Sequence, residues 1–458
     1  MPGSGKGLVG DYEEQLDAHF QAMVTNPDFP VPGVVVQLRR GSDTYAKSFG
    51  LADKESGRTM DQDAMIRMWS MTKVLCCATA LRLYERGLFK LEDPVSDYIE
   101  SFQRDWEIVK PSESGSKSVD YYAFVKGETV PLKYDTTPAT KPMLIKHLMS
   151  ETSGIEYDQF SDYDEFNGGA LGCGWGGGVA SALRRQQNPD VYRSTNILGA
   201  DCTLAEFCDH IAAAGVLVCE PGEFSYGLGN TVLGRVVEVV YERAEGRFLR
   251  FSEITKELLF TPLGMTDATF WLPDGDPRAA RIPTLYGARL EADGSTPVLP
   301  EPECLPASGP PILNGVAHST GPRKYDAGDT GSLMPAADYA KFYEMLLAGG
   351  VSASGERILS HTTVQLLCKG RFRGLNLTPC DTDPATGAPE PHSQHGGLAA
   401  AMGVAGESSP FPRSFNFGWA TSHGYSDGIA EFAPHMHPDM SNWGGCECSS
   451  STPVRSSY

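Results

Sequence analysis

Ser70 and Lys73 lie three residues apart in MWSMTKVLCCATALRLYERG, which runs from Met68 to Gly87. On a helix, side chains at i and i+3 share a face and can touch. The first backbone N–H groups of a helix point outward without partners. A Ser there meets donors able to hold an oxyanion, and a desolvated Lys one turn on can accept its proton. The chemistry of such a pair is acyl transfer through an acyl-enzyme. The same residues also fit an ordinary helix start, with Ser70 as N-cap and Lys73 in solvent. A second Ser-x-x-Lys, Ser114–Lys117, falls in the polar SESGSKS and reads as solvated chain. The Ser70 match differs in opening a long apolar helix, with Met68, Trp69 and Met71 around it. Spacing alone leaves both readings open.

The elements that must position such a pair can be read from periodicity. Asp11 to Val24 has Leu16, Phe20 and Met23 on one helical face. GVVVQLRRG and TYAKSFGLAD flank a Gly-Ser-Asp turn and read as a β-hairpin. The Ser70 helix runs through Ala78, Leu81, Leu83 and Tyr84 and stops at Gly87. Polar residues from about 100 to 140 read as a surface loop, and residues 155–200, rich in Gly, Asp, Asn and Tyr, as loop and lid. PMLIKHLMSETSG, TLAEFCDHIAAAG, VLGRVVEVVYERAEG, RFLRFSEITKELLFTPLG and ADYAKFYEMLLAGG read as helices, and SFNFGWATS as a strand. Helices in the middle and strands at both ends predict an α+β fold: an antiparallel sheet drawn from both chain ends, flanked by helices, with a mostly helical domain inserted at about residues 90–220. Residues 1–11 are expected to be a flexible N-terminus, 12–445 a single unit, and 446–458 a disordered tail.

Bulk properties narrow the partners. The 458 residues carry 38 basic and 58 acidic side chains, a net charge of −20. That argues against a nucleic acid or an anionic membrane surface, both of which need a basic face. No signal-peptide run and no stretch long enough to cross a bilayer is present, and a cytoplasmic location is expected. GSGKG near the N-terminus lacks the first Gly and the Ser/Thr of a phosphate loop. The 11 Cys include adjacent Cys76–Cys77 and a Cys446-x-Cys448 pair. Neither spacing completes a zinc site, and reduced core thiols are expected.

MIRMWSMTK resembles the nucleophile segment of the serine β-lactamase-like superfamily, which includes penicillin-binding proteins, class C β-lactamases and family VIII carboxylesterases. LIKHLMSETSG, CEPGEFSYGLGNTVLGRVVEVV, LLFTPLGMTDATF and DTGSLMPAADYAKFYEMLLAGG resemble further segments of that superfamily, in order, over roughly residues 12 to 370. The resemblance implies a β-lactamase/transpeptidase-like fold, with Ser70 as nucleophile and Lys73 and Tyr226 (in FSYGLGN) moving its proton. A phenol near an ammonium ionises more readily and can serve as general base. The plainer reading of Tyr226 is a half-buried Tyr bonded to backbone.

Lactamases and penicillin-binding proteins typically carry Asn two places after that Tyr or Ser; here Leu228 stands there. Tyr-Gly-Leu-Gly is closer to the esterases and the related acyltransferase of statin biosynthesis. Asn230 is expected to cap the following helix. The superfamily also places a Lys-Thr-Gly, His-x-Gly or Trp-Gly-Gly on an edge strand beside the nucleophile. Trp443, Gly444 and Gly445, with the N–H of Cys446 completing the oxyanion hole, fit the expected order. HGGL at His395–Leu398 and His423–Gly424 compete, and each is equally a Gly turn.

The resemblance therefore implies a serine hydrolase acting on an ester, or transferring the acyl group to an alcohol. It needs no cofactor and no metal, and its partner is a small-molecule ester, thioester or amide. An amide-bond enzyme, either a D-amino-acid peptidase or a lactamase, is the first alternative; a catalytically inactive scaffold is the second. Superfamily members continue after the third motif with more strand and a closing helix. Here 13 residues follow Gly445, as expected of a truncated chain or of a protein that has lost a sheet edge.

Overall fold

In the computed structural model the described residues are 12–26, 31–40, 43–111, 134–155, 202–217, 219–223, 227–284, 286–288, 298–300, 326–368, 413–416, 419–422, 441–444 and 450–451. Helix α1 (Glu13–Thr25) packs on the hairpin of β1 (Gly33–Arg40) and β2 (Asp43–Asp53). The hairpin pairs Gly33 with Gly50 through to Arg40 with Asp43. Phe20 of α1 stacks on Tyr45 and Phe49 of β2, and Asp17 accepts hydrogen bonds from Tyr45 Oη and Lys47 Nζ, each at 2.8 Å. Strand β3 (Arg58–Thr59) completes this antiparallel sheet.

Strand β4 (Ile66–Arg67) leads through a 3-10 turn, Trp69–Met71, into α2 (Thr72–Glu85). This helix is the centre of the molecule. It is buried continuously from Thr72 to Leu81 and again at Leu83, as a helix apolar on all sides must be. The inserted region holds β5 (Glu107–Pro111), β6 (Tyr134–Pro138), α3 (Ile145–Met149), α4 (Leu204–Ala214) and β7 (Val216–Leu217). Beside its helices the described part also holds a small sheet: β6–β5–β7 form three strands, antiparallel then parallel. Exposed Thr136, Thr137 and Pro138 on the edge strand β6 gave it the polar look of a loop, since edge strands carry polar residues and Pro that deter further pairing.

Helix α5 (Gly229–Glu245) lies against α2, α3 and α4. Helix α6 (Phe251–Thr255) continues through a π-turn (Lys256–Phe260) into α7 (Thr261–Leu263). Strands β8 (Tyr286–Ala288) and β9 (Val298–Pro300) pair with each other. Strand β10 (Leu333–Met334) pairs with β4, setting Leu333 opposite Arg67 and Met334 opposite Ile66. That two-residue ladder brings the segment 326–332 beside the turn that carries Ser70. Helices α8 (Ala336–Leu347) and α9 (His361–Cys368) follow, and α9 packs on α2.

SFNFGWATS is not one strand but two, β11 (Arg413–Asn416) and β12 (Trp419–Ser422). Two residues separate the paired Asn416 and Trp419, the usual length of a tight hairpin link. Strands β13 (Ser441–Gly444) and β14 (Ser450–Ser451) extend the antiparallel order to β11-β12-β13-β14. Ser450 and Ser451 pair with Gly444 and Trp443, so part of the stretch expected to be disordered is strand. The fold is α+β with antiparallel sheets. Among the described residues the strands of the two chain ends form separate hydrogen-bonded sheets, β1-β2-β3 and β11-β12-β13-β14, where one shared sheet was expected. Residues 1–11 lie outside the described residues, as do Ser114–Lys117, His395–Leu398 and His423–Gly424. No helix among the described residues is long and apolar enough to cross a membrane.

Candidate active site

The structure brings Ser70 and Lys73 together. Lys73 Nζ lies 3.3 Å from Ser70 Oγ, and both side chains are buried, at 0% and 5% exposure. The same ammonium group donates to the Asp329 carbonyl at 3.3 Å. Lys73 is therefore the desolvated member of an internal pair, and the alternative of a solvated Lys is set aside. Ser70 is not a side-chain N-cap: it sits inside the 3-10 turn and makes no cap bond to the helix backbone.

The turn is held in an unusual shape. Trp69, the residue before Ser70, has φ 44, a left-handed conformation that is costly for a bulky side chain and persists only when its surroundings over-determine it. Ser332 supplies the restraint on both sides. Its carbonyl accepts from Met68 N–H at 2.9 Å, its N–H donates to Thr72 Oγ1 at 3.0 Å, and the two hydroxyls lie 2.7 Å apart. Tyr339 Oη donates to the Met71 carbonyl at 2.9 Å.

Behind the pair lies a buried polar cluster that spacing did not reveal. Glu151, in the turn after α3, is 1% exposed with φ 55. It accepts from Gly227 N–H at 2.8 Å and from Asn230 Nδ2 at 2.7 Å. Burial pushes its carboxyl up to about 7; the Lys73 charge, the Gly227 N–H and the Asn230 amide pull the other way, and Asp329 adds to the rise. Asn230 is not a cap. The N-cap position of α5 is Leu228, and the Asn230 carboxamide oxygen accepts from Cys77 Sγ at 3.1 Å. Thr231 Oγ1 donates to Asp329. Cys76 and Cys77 are buried thiols whose pKa is pushed well up by that burial, as expected of core cysteines. The signal for the cluster was present in two quoted segments, SETSG and DTGSLM, but nothing in either says that they meet at Lys73.

The other expected site residues divide. Tyr226 lies outside the described residues, as do Gly445 and Cys446. Trp443 and Gly444 are in β13, whose backbone runs beside the Trp69–Met71 turn.

A buried Ser-x-x-Lys at the head of a central helix, flanked by antiparallel sheets, defines a β-lactamase/transpeptidase-like fold. The beta-lactamase family model matches residues 16–415, and the chain belongs to that family. Protein Rv1367c of Mycobacterium tuberculosis is 29% identical over 381 residues, covering 78% of this chain and 76% of that protein. Esterase EstB of Burkholderia gladioli is 26% identical over 339 residues, covering 73% and 70%. Among solved structures, EstCE1, described as a hydrolase with promiscuous acyltransferase activity, superposes with a TM-score of 0.59 at 20% identity, covering 96% of this chain and 89% of that one.

Proposed function

We propose that the protein is a serine hydrolase that cleaves an ester, or passes its acyl group to an alcohol, through an acyl-enzyme on Ser70. The observation that carries this reading is the buried Ser70 Oγ–Lys73 Nζ pair at 3.3 Å, set in a restrained turn. In the first half-reaction Ser70 Oγ bonds to the carbonyl carbon while its proton passes to the Tyr226 phenolate, which the Lys73 ammonium stabilises. The oxyanion rests on the N–H of Ser70 and that of Cys446, beside Trp443, Gly444 and Gly445. The tetrahedral intermediate collapses, the ester C–O bond breaks, and the leaving alkoxide takes the proton back. Water, or an acceptor alcohol, then attacks the acyl-enzyme and frees Ser70.

An ester is favoured over an amide by Leu228. This side chain is apolar and buried, at the place where a carboxamide would hold a lactam or peptide amide. The names of EstB and EstCE1, an esterase and a hydrolase with acyltransferase activity, agree in reaction class. The experiment is the intact mass of the full-length protein after incubation with a fluorophosphonate, on wild type and Ser70→Ala. A single adduct that is lost in the variant is expected, followed by turnover of p-nitrophenyl esters in preference to nitrocefin and D-alanyl amides. A folded wild type that takes no adduct overturns the reading and leaves an inactive scaffold.

A further inference from the structure

We propose that Glu151 is a positioning residue for Ser70 and Lys73, a carboxylate clamp that holds the start of α5 against α2 when ionised and loosens when protonated. The inference rests on the reading of Ser70 as nucleophile, which it deepens.

The geometry carries it. Each Glu151 oxygen faces a donor: Oε2 meets Gly227 N–H and Oε1 meets Asn230 Nδ2. Gly227 directly follows Tyr226 in the chain. Asn230 passes the tie onward. Its carboxamide oxygen accepts from Cys77 Sγ and its backbone carbonyl from Cys76 Sγ at 3.2 Å. Both thiols lie on α2, three and four residues beyond Lys73. One carboxylate thus links the α3 turn, the first turn of α5 and the helix that bears the Ser-Lys pair.

Ionised, the carboxylate accepts both bonds, and charge-assisted bonds of this kind are the stronger ones. Neutral, the oxygen that takes the proton becomes a much poorer acceptor, so one of the two bonds weakens. The charged and titratable groups facing it are Lys73 and Cys77 from α2 and Asp329 from the segment before β10. Of these three only Lys73 is a cation, and its charge favours the ionised carboxylate. Burial lifts the carboxyl to about 7, so clamp and release both fall within the neutral range. The positive φ of Glu151 fits a side chain held in place by its partners, since a Glu gains nothing locally from that conformation.

Two measurements on the full chain test the clamp. The first is the rate of fluorophosphonate labelling of Ser70 across neutral pH in wild type and Glu151→Gln. Gln imitates the neutral carboxyl. The two rates should converge on the acid side of about pH 7 and diverge on the alkaline side, where the variant should be slower by roughly tenfold to a hundredfold, as expected of a misplaced nucleophile. A uniform deficit at every pH, or none, would mean a merely structural Glu151 and overturns the inference. The second needs neither labelling nor the variant. Hydrogen exchange at the Gly227 amide of the wild-type protein, corrected for the intrinsic pH dependence of exchange, should lose protection between about pH 8 and pH 6. Unchanged protection overturns the clamp. Absence of labelling in a wild type whose Gly227 protection still follows pH overturns the nucleophile reading and leaves the clamp standing.

Discussion

Thr72 and Ser332 are 260 residues apart in the chain, yet their hydroxyls lie 2.7 Å from each other, and the Ser332 N–H donates to the same Thr72 oxygen at 3.0 Å. With the Ser332 carbonyl on Met68 N–H, this contact fixes both flanks of the turn in which Trp69 is strained and Ser70 is presented. Thr72→Val keeps the shape and strands the buried Ser332 N–H and hydroxyl. It should cost about 1–3 kcal/mol of stability, the penalty for an unsatisfied buried polar group, and should slow labelling of Ser70 by roughly tenfold. Thermal melting and labelling kinetics read the two effects separately. Wild-type labelling in Thr72→Val would show that the turn is set by other contacts.

Gly328 tests how closely the segment beside Lys73 must approach α5. A Cβ added there would lie 2.4 Å from the Asn230 carbonyl oxygen and 3.1 Å from Cys76 Sγ. Backbone cannot yield as a flexible side chain can, so Gly328→Ala must push the segment and the Asp329 carbonyl away from Lys73. The expected cost is about 1–3 kcal/mol, as for overpacked cores, with a labelling rate that falls more than the loss of folded protein explains. Chemical denaturation run beside the labelling assay checks this.

Glu238 and His147 pull the pH dependence of stability in opposite directions. Burial raises Glu238 from 4.5 to about 7, against the pull of Arg235 and the Phe251 N–H. Between those values the unfolded chain has lost the proton that the folded protein keeps, so stability falls as pH rises, by up to about 3 kcal/mol. His147 runs the other way. Burial lowers it from 6.5 to about 4, with Lys146 adding to the fall, and its Nδ1 accepts from Leu144 N–H at 3.2 Å, which only a neutral ring can do. Its contribution is present above pH 6.5 and is lost as pH falls toward 4. Glu238→Gln should therefore gain on wild type as pH rises from about 4.5 to 7, and His147→Gln should gain on it as pH falls from 6.5 to 4. Urea titrations at several pH values measure both; a pH-independent difference would contradict the assigned origin.

Half-buried Arg250 and fully buried Asp326 form an ion pair at 2.6 Å, with the Arg250 guanidinium over Trp271. The Asp326 carboxylate also accepts from Ser252 N–H at 3.0 Å, and burial holds its pKa above the usual carboxylate range. Arg250→Ala leaves that charge uncompensated and should cost about 3–5 kcal/mol. The pair Arg250→Met with Asp326→Leu should recover much of the loss, because a well-packed apolar pair often equals a buried ion pair. A double-mutant cycle on the melting free energies decides it.

What the sequence showed and what it hid divides by range. Ser70 and Lys73 were visible because three residues on a helix fix their distance. The β1–β2 hairpin and the long helices were visible for the same reason, since local periodicity reports which face is buried. Glu151, Asp329 and Ser332 were not, because each reaches the site from a distant turn or short strand. The two-residue strands β4 and β10 carry no periodicity at all, yet their pairing aligns Ser332 with the nucleophile turn. Asn near a helix start favours a capping role, and at Asn230 a buried carboxylate in need of a donor overrides that preference. Strand β6 looks like loop in the sequence because its edge position selects polar residues. Tyr226, Gly445 and Cys446 lie outside the described residues, so their roles stand on the family resemblance.

The β4–β10 ladder carries a consequence for the newborn chain. Met68 and Thr72 wait for Ser332, and Thr72 and Ser332 are separated by 260 residues. At roughly 5–20 residues per second, a ribosome spends about 13 to 50 s between making the nucleophile and making the residue that locks its turn. Through that interval Ser70 exists in a turn that nothing from residue 332 yet holds. A nascent chain stalled before Ser332 would leave the ribosome with that turn unlocked, and on the proposed reading it would not react with a fluorophosphonate.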